Sequence, residues 1–391
     1  MEMFGLDADN EAMVHKVVAQ VLGRFAEQPE IRTAPRVEEL AANVGETITP
    51  AGLGPDEAFR LYTEYLAPAS VASDHPRYLA FVAGAPTTAS SVFDLVVSSS
   101  AQCGSFWLDG AGMIHAENAA MRWIADLAGL PAGANGCFVT GGTTGNLSAL
   151  VTARDAARRS HEAGGLRCPN TWAVVCAEST HSSVDSAARV MDVEVIRAEL
   201  NPEHRLTGSS VAAAIEGRPD GTEVFAVVAT AGTTNIGIVD DLESIADACN
   251  EVGVWLHVDG AYSGAVIFSP KYKSLLEGLH HSNSFSFNAH KMMGTPLTCS
   301  LLVVNNKKYL SDSFNNDADY LYQTDSDDYN LGKFSFQCGR RNDALKFWSL
   351  WKAVGTNGLA QIVNHLFETA NIARDYVLKN PDYTLYNHGN S

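Results

Sequence analysis

An α/β fold around a mostly parallel sheet is what this sequence predicts, and three observations predict it. Short Val-rich apolar runs recur from residue 137 to residue 304. Amphipathic stretches of helical period separate most of them. The polar, glycine-bearing segments cluster where the apolar runs stop, which is where ligands sit in open α/β sheets.

The elements justify this in order. Residues 12–27 place Val14, Val17, Val18, Val21, Leu22 and Phe25 on one helical stripe,. A Pro- and Gly-containing stretch from Pro35 to Pro55 breaks the pattern before a second helix over 55–66,. This N-terminal arm, 1–66, has too little core to fold alone and is expected to pack on the body or on a second subunit. The large domain, 67–310, holds the alternation. A helix from His115 to Ala128 precedes a strand over Cys137-Phe138-Val139-Thr140, then a Gly-rich turn and a helix through Arg159. Strands follow at Thr171–Ala177, Glu194–Arg197, Val224–Thr230, Val254–Val258, Ser284–Phe287 and Ser300–Val304. The intervening helices start at Ser182 and Ser209 and span Leu242–Val252. Residues 311–336 are polar, acidic and Tyr-rich, the composition of a mobile active-site loop,. From 337 to 391 the sequence reads as the start of a C-terminal domain, short or truncated, with helices from Asp343 to about residue 379.

Composition excludes several function classes. The 391 residues carry a formal charge of −18, which disfavours nucleic acid and anionic membranes as partners,. No apolar run is long enough to cross a bilayer, and the N-terminus lacks a signal-peptide pattern, so a cytoplasmic location is expected,. Cys103, Cys137, Cys168, Cys176, Cys249, Cys299 and Cys338 show no C-x-x-C spacing and read as free thiols,. His280-His281 has no carboxylate at ligand spacing, so no metal is expected. Lysine is confined to Lys16 before residue 271 and recurs after it, a break consistent with chance or with a sequence joined from two related sources.

Chemistry gathers at the strand ends. Thr140-Gly141-Gly142-Thr143-Thr144-Gly145-Asn146 joins a strand to a helix, where converging backbone N–H groups suit a phosphate monoester,. His181 opens the next helix, and Gly232-Thr233-Thr234 ends another strand. Each alone reads more readily as an ordinary cap or turn. Asp259 ends one apolar run and Lys291 follows another, in Phe287-Asn288-Ala289-His290-Lys291-Met292-Met293-Gly294. A lysine behind a buried strand is costly unless its charge is used or removed. An aspartate on a neighbouring strand can hold a cationic ring nitrogen. Their joint occurrence suggests pyridoxal 5′-phosphate, with Lys291 as Schiff-base amine and Asp259 as partner of the pyridinium.

From His75-Pro76-Arg77-Tyr78 to about Gly355 the chain resembles the group II PLP-dependent amino acid decarboxylases, which include the glutamate, cysteine sulfinate and aromatic-L-amino-acid enzymes. Asn288 to Gly294, Gln337-Cys338-Gly339-Arg340-Arg341, Lys346-Phe347-Trp348 and Trp351-Lys352-Ala353 look most like the glutamate/cysteine sulfinate branch. The resemblance implies fold type I, a homodimer, and decarboxylation of an L-amino acid, with acidic substrates (glutamate, aspartate or cysteine sulfinate) suggested by the branch. It implies Lys291 and Asp259 in the roles above, His181 stacked on the ring and Ala261 on its other face. Gly142 and Thr143 would bind phosphate, Asn288 and His290 would support the cofactor beside Lys291, and Thr234 would lie near the ring. Thr87 falls near the substrate segment. Tyr329, with Tyr322 next, is the expected proton donor. The alternatives are a PLP-dependent lyase or aldehyde synthase on the same scaffold, and a PLP-binding relative without turnover. A generic nucleotide-binding domain lacks a matching phosphate motif.

Overall fold

The computed structural model describes residues 5–45, 48, 50–82, 84–315 and 329–387. Contacts divide the chain into two units, Met1–Phe81 and Val82–Ser391. In the first unit, α1 (Ala8–Ala26) starts at Asp7, whose carboxylate accepts from the Asn10 N–H at 2.8 Å,. Its apolar stripe stays exposed, and α1 contains no buried residue. α2 (Val37–Val44) was not foreseen, because it lies inside the Pro- and Gly-bounded stretch. α3 (Pro55–Leu61) begins on a proline and continues as a π turn over Tyr62–Leu66, so the predicted helix 55–66 changes winding midway,.

The second unit is built on a seven-stranded sheet. Its strands are β1 (Asn135–Val139), β2 (Thr171–Ala177), β3 (Glu194–Ala198), β4 (Thr222–Thr230), β5 (Trp255–Gly260), β6 (Ser284–Asn288) and β7 (Ser300–Val304), in the order β1-β7-β6-β5-β4-β2-β3. Strands β2 to β6 pair in parallel, and β7 runs antiparallel to both neighbours. The sheet is therefore mostly parallel, as predicted.

Alternating residues of β2 show how both faces are covered. Ala173, Val175 and Ala177 enter a core with α5 (Trp107–Ala128), α8 (Gly208–Glu216), α9 (Leu242–Val252) and α11 (Ala344–Lys379). Trp172, Val174 and Cys176 enter another with α6 (Gly142–Ala163), α7 (Ser183–Met191) and α10 (Lys308–Phe314),. α9 illustrates the local cause. Asp241 caps its start, and Leu242, Ile245, Ala246 and Cys249 form the buried stripe. Gly253, in the left-handed region, ends it,. α11 changes direction at Gly355 (φ 68°), which separates the two helices expected there.

A further helix, α4 (Thr88–Ser98), is tied to α11 by the Ser90 hydroxyl, which donates to Lys346 O at 3.3 Å. Behind the sheet, Arg340 Nη1 donates to Glu117 Oε1 and to Phe138 O, both at 2.8 Å. Glu117 Oε1 also accepts from Phe138 N at 2.8 Å, and both side chains are buried. Removing one member strands the other charge in the interior. Glu117→Ala is expected to cost about 3–5 kcal/mol, read as a lower urea midpoint at unchanged slope. An unchanged midpoint would show that water already reaches Arg340.

Candidate active site

The carboxyl ends of β1, β2, β4, β5 and β6 deliver the predicted residues to one edge of the sheet. After β1, Gly141 takes φ 137° and α6 begins at Gly142, so the first N–H groups of a 22-residue helix open toward the site,. A Cβ at Gly142 would lie 3.1 Å from Asn288 Nδ2 and 3.5 Å from Ala261 Cβ, so a side chain there would crowd both. Beyond β2, His181 precedes α7, and its Nδ1 meets Ser183 N at 3.1 Å and Ser183 Oγ at 2.9 Å. β5 ends on Asp259. Its Oδ2 accepts from Asn146 Nδ2 at 2.7 Å, and its Oδ1 accepts from Ala261 N at 3.0 Å and Ser286 Oγ at 3.4 Å. Gly260 permits this close approach to β6, since a Cβ there would meet the Phe285 ring at 2.4 Å. After β6, the Lys291 N–H donates to Asn288 O at 3.1 Å.

These ends enclose a cavity of about 390 Å³. Its wall includes Gly142, Thr143, His181, Thr234, Asp259, Ala261, Asn288 and Lys291. Three other predicted residues lie outside this wall. His290 is buried behind it, with Nδ1 3.0 Å from both the N and O of Cys299. Thr87 caps α4, and its own N–H donates to Gly294 O at 2.7 Å, tying that helix to the loop after Lys291. Tyr329 rests on Trp107, ring centroids 5.1 Å apart. Tyr322 lies outside the described residues. The wall also contains Asn146, Ser183 and Thr230, which were not singled out from sequence. Asn146 was legible in principle, four residues after Gly142 and hence on the same face of α6.

Electrostatics differentiate the two central groups. Burial pushes the Lys291 ammonium below its ordinary pKa, and Asp259 opposes that shift,. Two buried oxygens on the wall, Asn288 Oδ1 and Thr230 Oγ1, have no hydrogen-bond partner among the described residues. Polar atoms left unpaired in an interior are costly, so the wall is built for a polar guest.

The pyridoxal-dependent decarboxylase conserved domain matches residues 56–390. The chain belongs to the pyridoxal-dependent decarboxylases. The match runs across residue 271, so both sides of the lysine break belong to one family. Over 353 residues the chain is 31% identical to an aromatic-L-amino-acid decarboxylase of Bacillus atrophaeus, covering 88% of this chain and 72% of that protein. It is 32% identical over 277 residues to the acidic amino acid decarboxylase GADL1 of Mus musculus, covering 69% and 50%. A third relative, the L-aspartate decarboxylase dtxS4 of Metarhizium robertsii, is 33% identical over 258 residues, covering 64% and 51%. The chain thus spans about half the length of these last two. Crystal structures of mouse CSAD (TM-score 0.89, 24% identity, 96% of this chain and 80% of that one) and of Oryza sativa TDC with PLP and tryptamine (0.87, 24%, 97% and 81%) share the fold.

In this decarboxylase the residues present fit pyridoxal phosphate. The helix N-terminus suits the phosphate, Gly142 leaves room for it, Lys291 offers an amine and Asp259 an anion,.

Buried titratable groups near the site also set an acid limit. Burial lowers the His290 pKa to about 4, against the Cys299 backbone bond; Lys291 and Lys346 lower it further and Asp343 opposes them. Burial lowers His257 as well, with Asp259 opposing. The unfolded chain therefore takes up protons below about pH 6.5 that the folded one refuses. That contribution to stability is complete above pH 6.5 and is lost as pH falls toward 4,. Asp240, raised to about 6 by burial, acts in the opposite sense, one group against two. The urea midpoint is expected to be lower at pH 5 than at pH 7; a midpoint that rises on acidification would contradict these assignments.

Proposed function

We propose that this chain decarboxylates an L-amino acid to an amine and carbon dioxide, with Lys291 and Asp259 flanking one bound pyridoxal phosphate. The observation that carries this is their shared cavity, entered by the N-terminus of α6. When bound, pyridoxal phosphate supplies the sink for the electron pair left on Cα as carbon dioxide departs.

Each residue then has a physical task. Burial favours the neutral form of the Lys291 amine that would hold the cofactor, and Asn288 fixes the backbone beside it,. Backbone N–H groups at Gly142 and the Thr143 hydroxyl hold phosphate. Asp259 keeps a proton on the ring nitrogen. His181, Ala261 and Thr234 line the same cavity, where the first two would hold the ring between them and Thr234 would lie near it. His290 supports the lysine loop from behind. Thr87, tied to the same loop through Gly294, would position substrate,. Tyr329, whose ring packs on Trp107, would donate the proton that Cα finally receives.

Support for an acidic substrate comes from the branch-like segments around Lys291 and Arg340, and from GADL1 and dtxS4 among the relatives. Arg340 and Arg341 are themselves engaged, the first by Glu117 and the second by Asp94 and Asp343. Lys291 is the one cation on the described wall, so a side-chain carboxylate must draw its counter-charge from elsewhere. A homodimer is supported by the apolar stripe that α1 leaves exposed. A cytoplasmic location is supported by seven free cysteines, and no described helix is long and apolar enough to cross a membrane,.

Loading purified protein with pyridoxal phosphate and supplying glutamate, aspartate, cysteine sulfinate and aromatic amino acids tests the proposal. Stoichiometric amine and carbon dioxide from one class is expected. Aldehyde with ammonia would favour an aldehyde synthase, and no product from any amino acid would favour a binding protein without turnover.

A further inference from the structure

An unbroken run of hydrogen bonds connects the interior of the sheet to His181 on the cavity wall, and Asn146 sits at its branch point. Trp255 Nε1 donates to Ser284 Oγ at 2.8 Å, and Ser284 Oγ lies 2.8 Å from His257 Nδ1. His257 Nε2 lies 3.0 Å from Asn146 Oδ1. The Asn146 amide nitrogen reaches Asp259 Oδ2 at 2.7 Å and Ser183 Oγ at 2.9 Å. Ser183 in turn meets His181 Nδ1 through both its hydroxyl and its backbone N–H.

The proton positions follow from one end. An ionised carboxylate only accepts, so the Asn146 NH2 faces Asp259 and its carbonyl oxygen faces His257. A carbonyl oxygen also only accepts, which requires the His257 proton on Nε2. Burial keeps that imidazole neutral, so Nδ1 is bare and accepts from the Ser284 hydroxyl,. At the other end a backbone N–H can only donate, so His181 Nδ1 is bare too. With a single ring proton, His181 carries it on Nε2.

We infer that Asn146 is a positioning residue that sets two cofactor-flanking groups at once, the Asp259 carboxylate directly and the His181 ring through the Ser183 hydroxyl, to which its amide donates. It lies on α6, the helix that opens at Gly142, so phosphate site, ring-nitrogen partner and stacking histidine share one rigid support. The catalytic consequence rests on the decarboxylase reading above; the proton positions do not.

The test therefore has two arms. In wild-type protein with 15N-labelled histidine, NMR is expected to show His257 and His181 with the ring proton on Nε2 and a bare Nδ1. Either ring in the Nδ1–H form overturns the assignment, whether or not the protein turns over any amino acid. The second arm compares Asn146→Ala with the isosteric Asn146→Asp in cofactor-loaded protein. Both are expected to retain the borohydride-trappable cofactor and to lose kcat by about ten- to a hundredfold, with KM changed less than about threefold. The Asp variant, which sets an acceptor against an acceptor, should be no faster than Ala. Near-normal turnover in the Asp variant would mean that Asn146 only fills space, and would overturn the inference, as would a change confined to KM.

Discussion

Lys291→Ala protein is expected to lose its borohydride-trappable cofactor adduct and, with it, decarboxylation, by at least about a thousandfold. The size follows from the site. Lys291 is the one amine on the described wall, and burial pushes its ammonium below the ordinary range, which favours the neutral nucleophile. Alanine removes the covalent tether. The fold should survive, because the hydrogen bonds described for Lys291 are backbone ones that alanine keeps: its N–H donates to Asn288 O at 3.1 Å and its carbonyl accepts from Gly294 N at 3.2 Å. Trapping, visible cofactor absorbance and carbon dioxide release measured on one preparation decide the matter. Unchanged trapping would reject the role given to Lys291.

The second large effect belongs to Asp259. Alanine at this position removes the anion assigned to the ring nitrogen, leaves the Ala261 N–H without its side-chain acceptor, and takes one of two acceptors each from the Asn146 amide and the Ser286 hydroxyl. Asp259→Ala is expected to weaken cofactor retention and to lower kcat by roughly a thousandfold or more, the larger part because an unprotonated ring is a poor electron sink. Cofactor titration and steady-state rates separate these losses. Full activity at saturating cofactor would contradict the electron-sink role.

Much of this was legible because buried parallel strands write themselves as continuous apolar runs. Thr171–Ala177 and Ser300–Val304 are observed at their predicted limits, as is the helix Leu242–Val252, whose stripe and terminal glycine mark it,. Strand direction was less legible. β7 reverses because the link from Ala289 to Cys299 is too short for the crossover that a parallel neighbour needs,. α4 was missed because Thr88 to Ser98 is rich in serine and valine, weak helix formers, and the helix is held by packing against α11,. Arg340 shows a further limit. Its motif marks a family branch, yet its partner Glu117 lies 223 positions away, and nothing local announces the pair. Likewise Glu243 joins His280 and His281 with ligand atoms within 4.8 Å, a grouping that spacing along the chain hides. The contact between His281 and Glu243, at 3.9 Å, is an exposed ion pair when the ring is protonated,.

Reducing cofactor-loaded protein with borohydride and locating the phosphopyridoxyl group by peptide mass mapping tests the central claim most directly. The label is expected on the peptide that contains Lys291. A label on any other lysine, or no label at full cofactor occupancy, would contradict it.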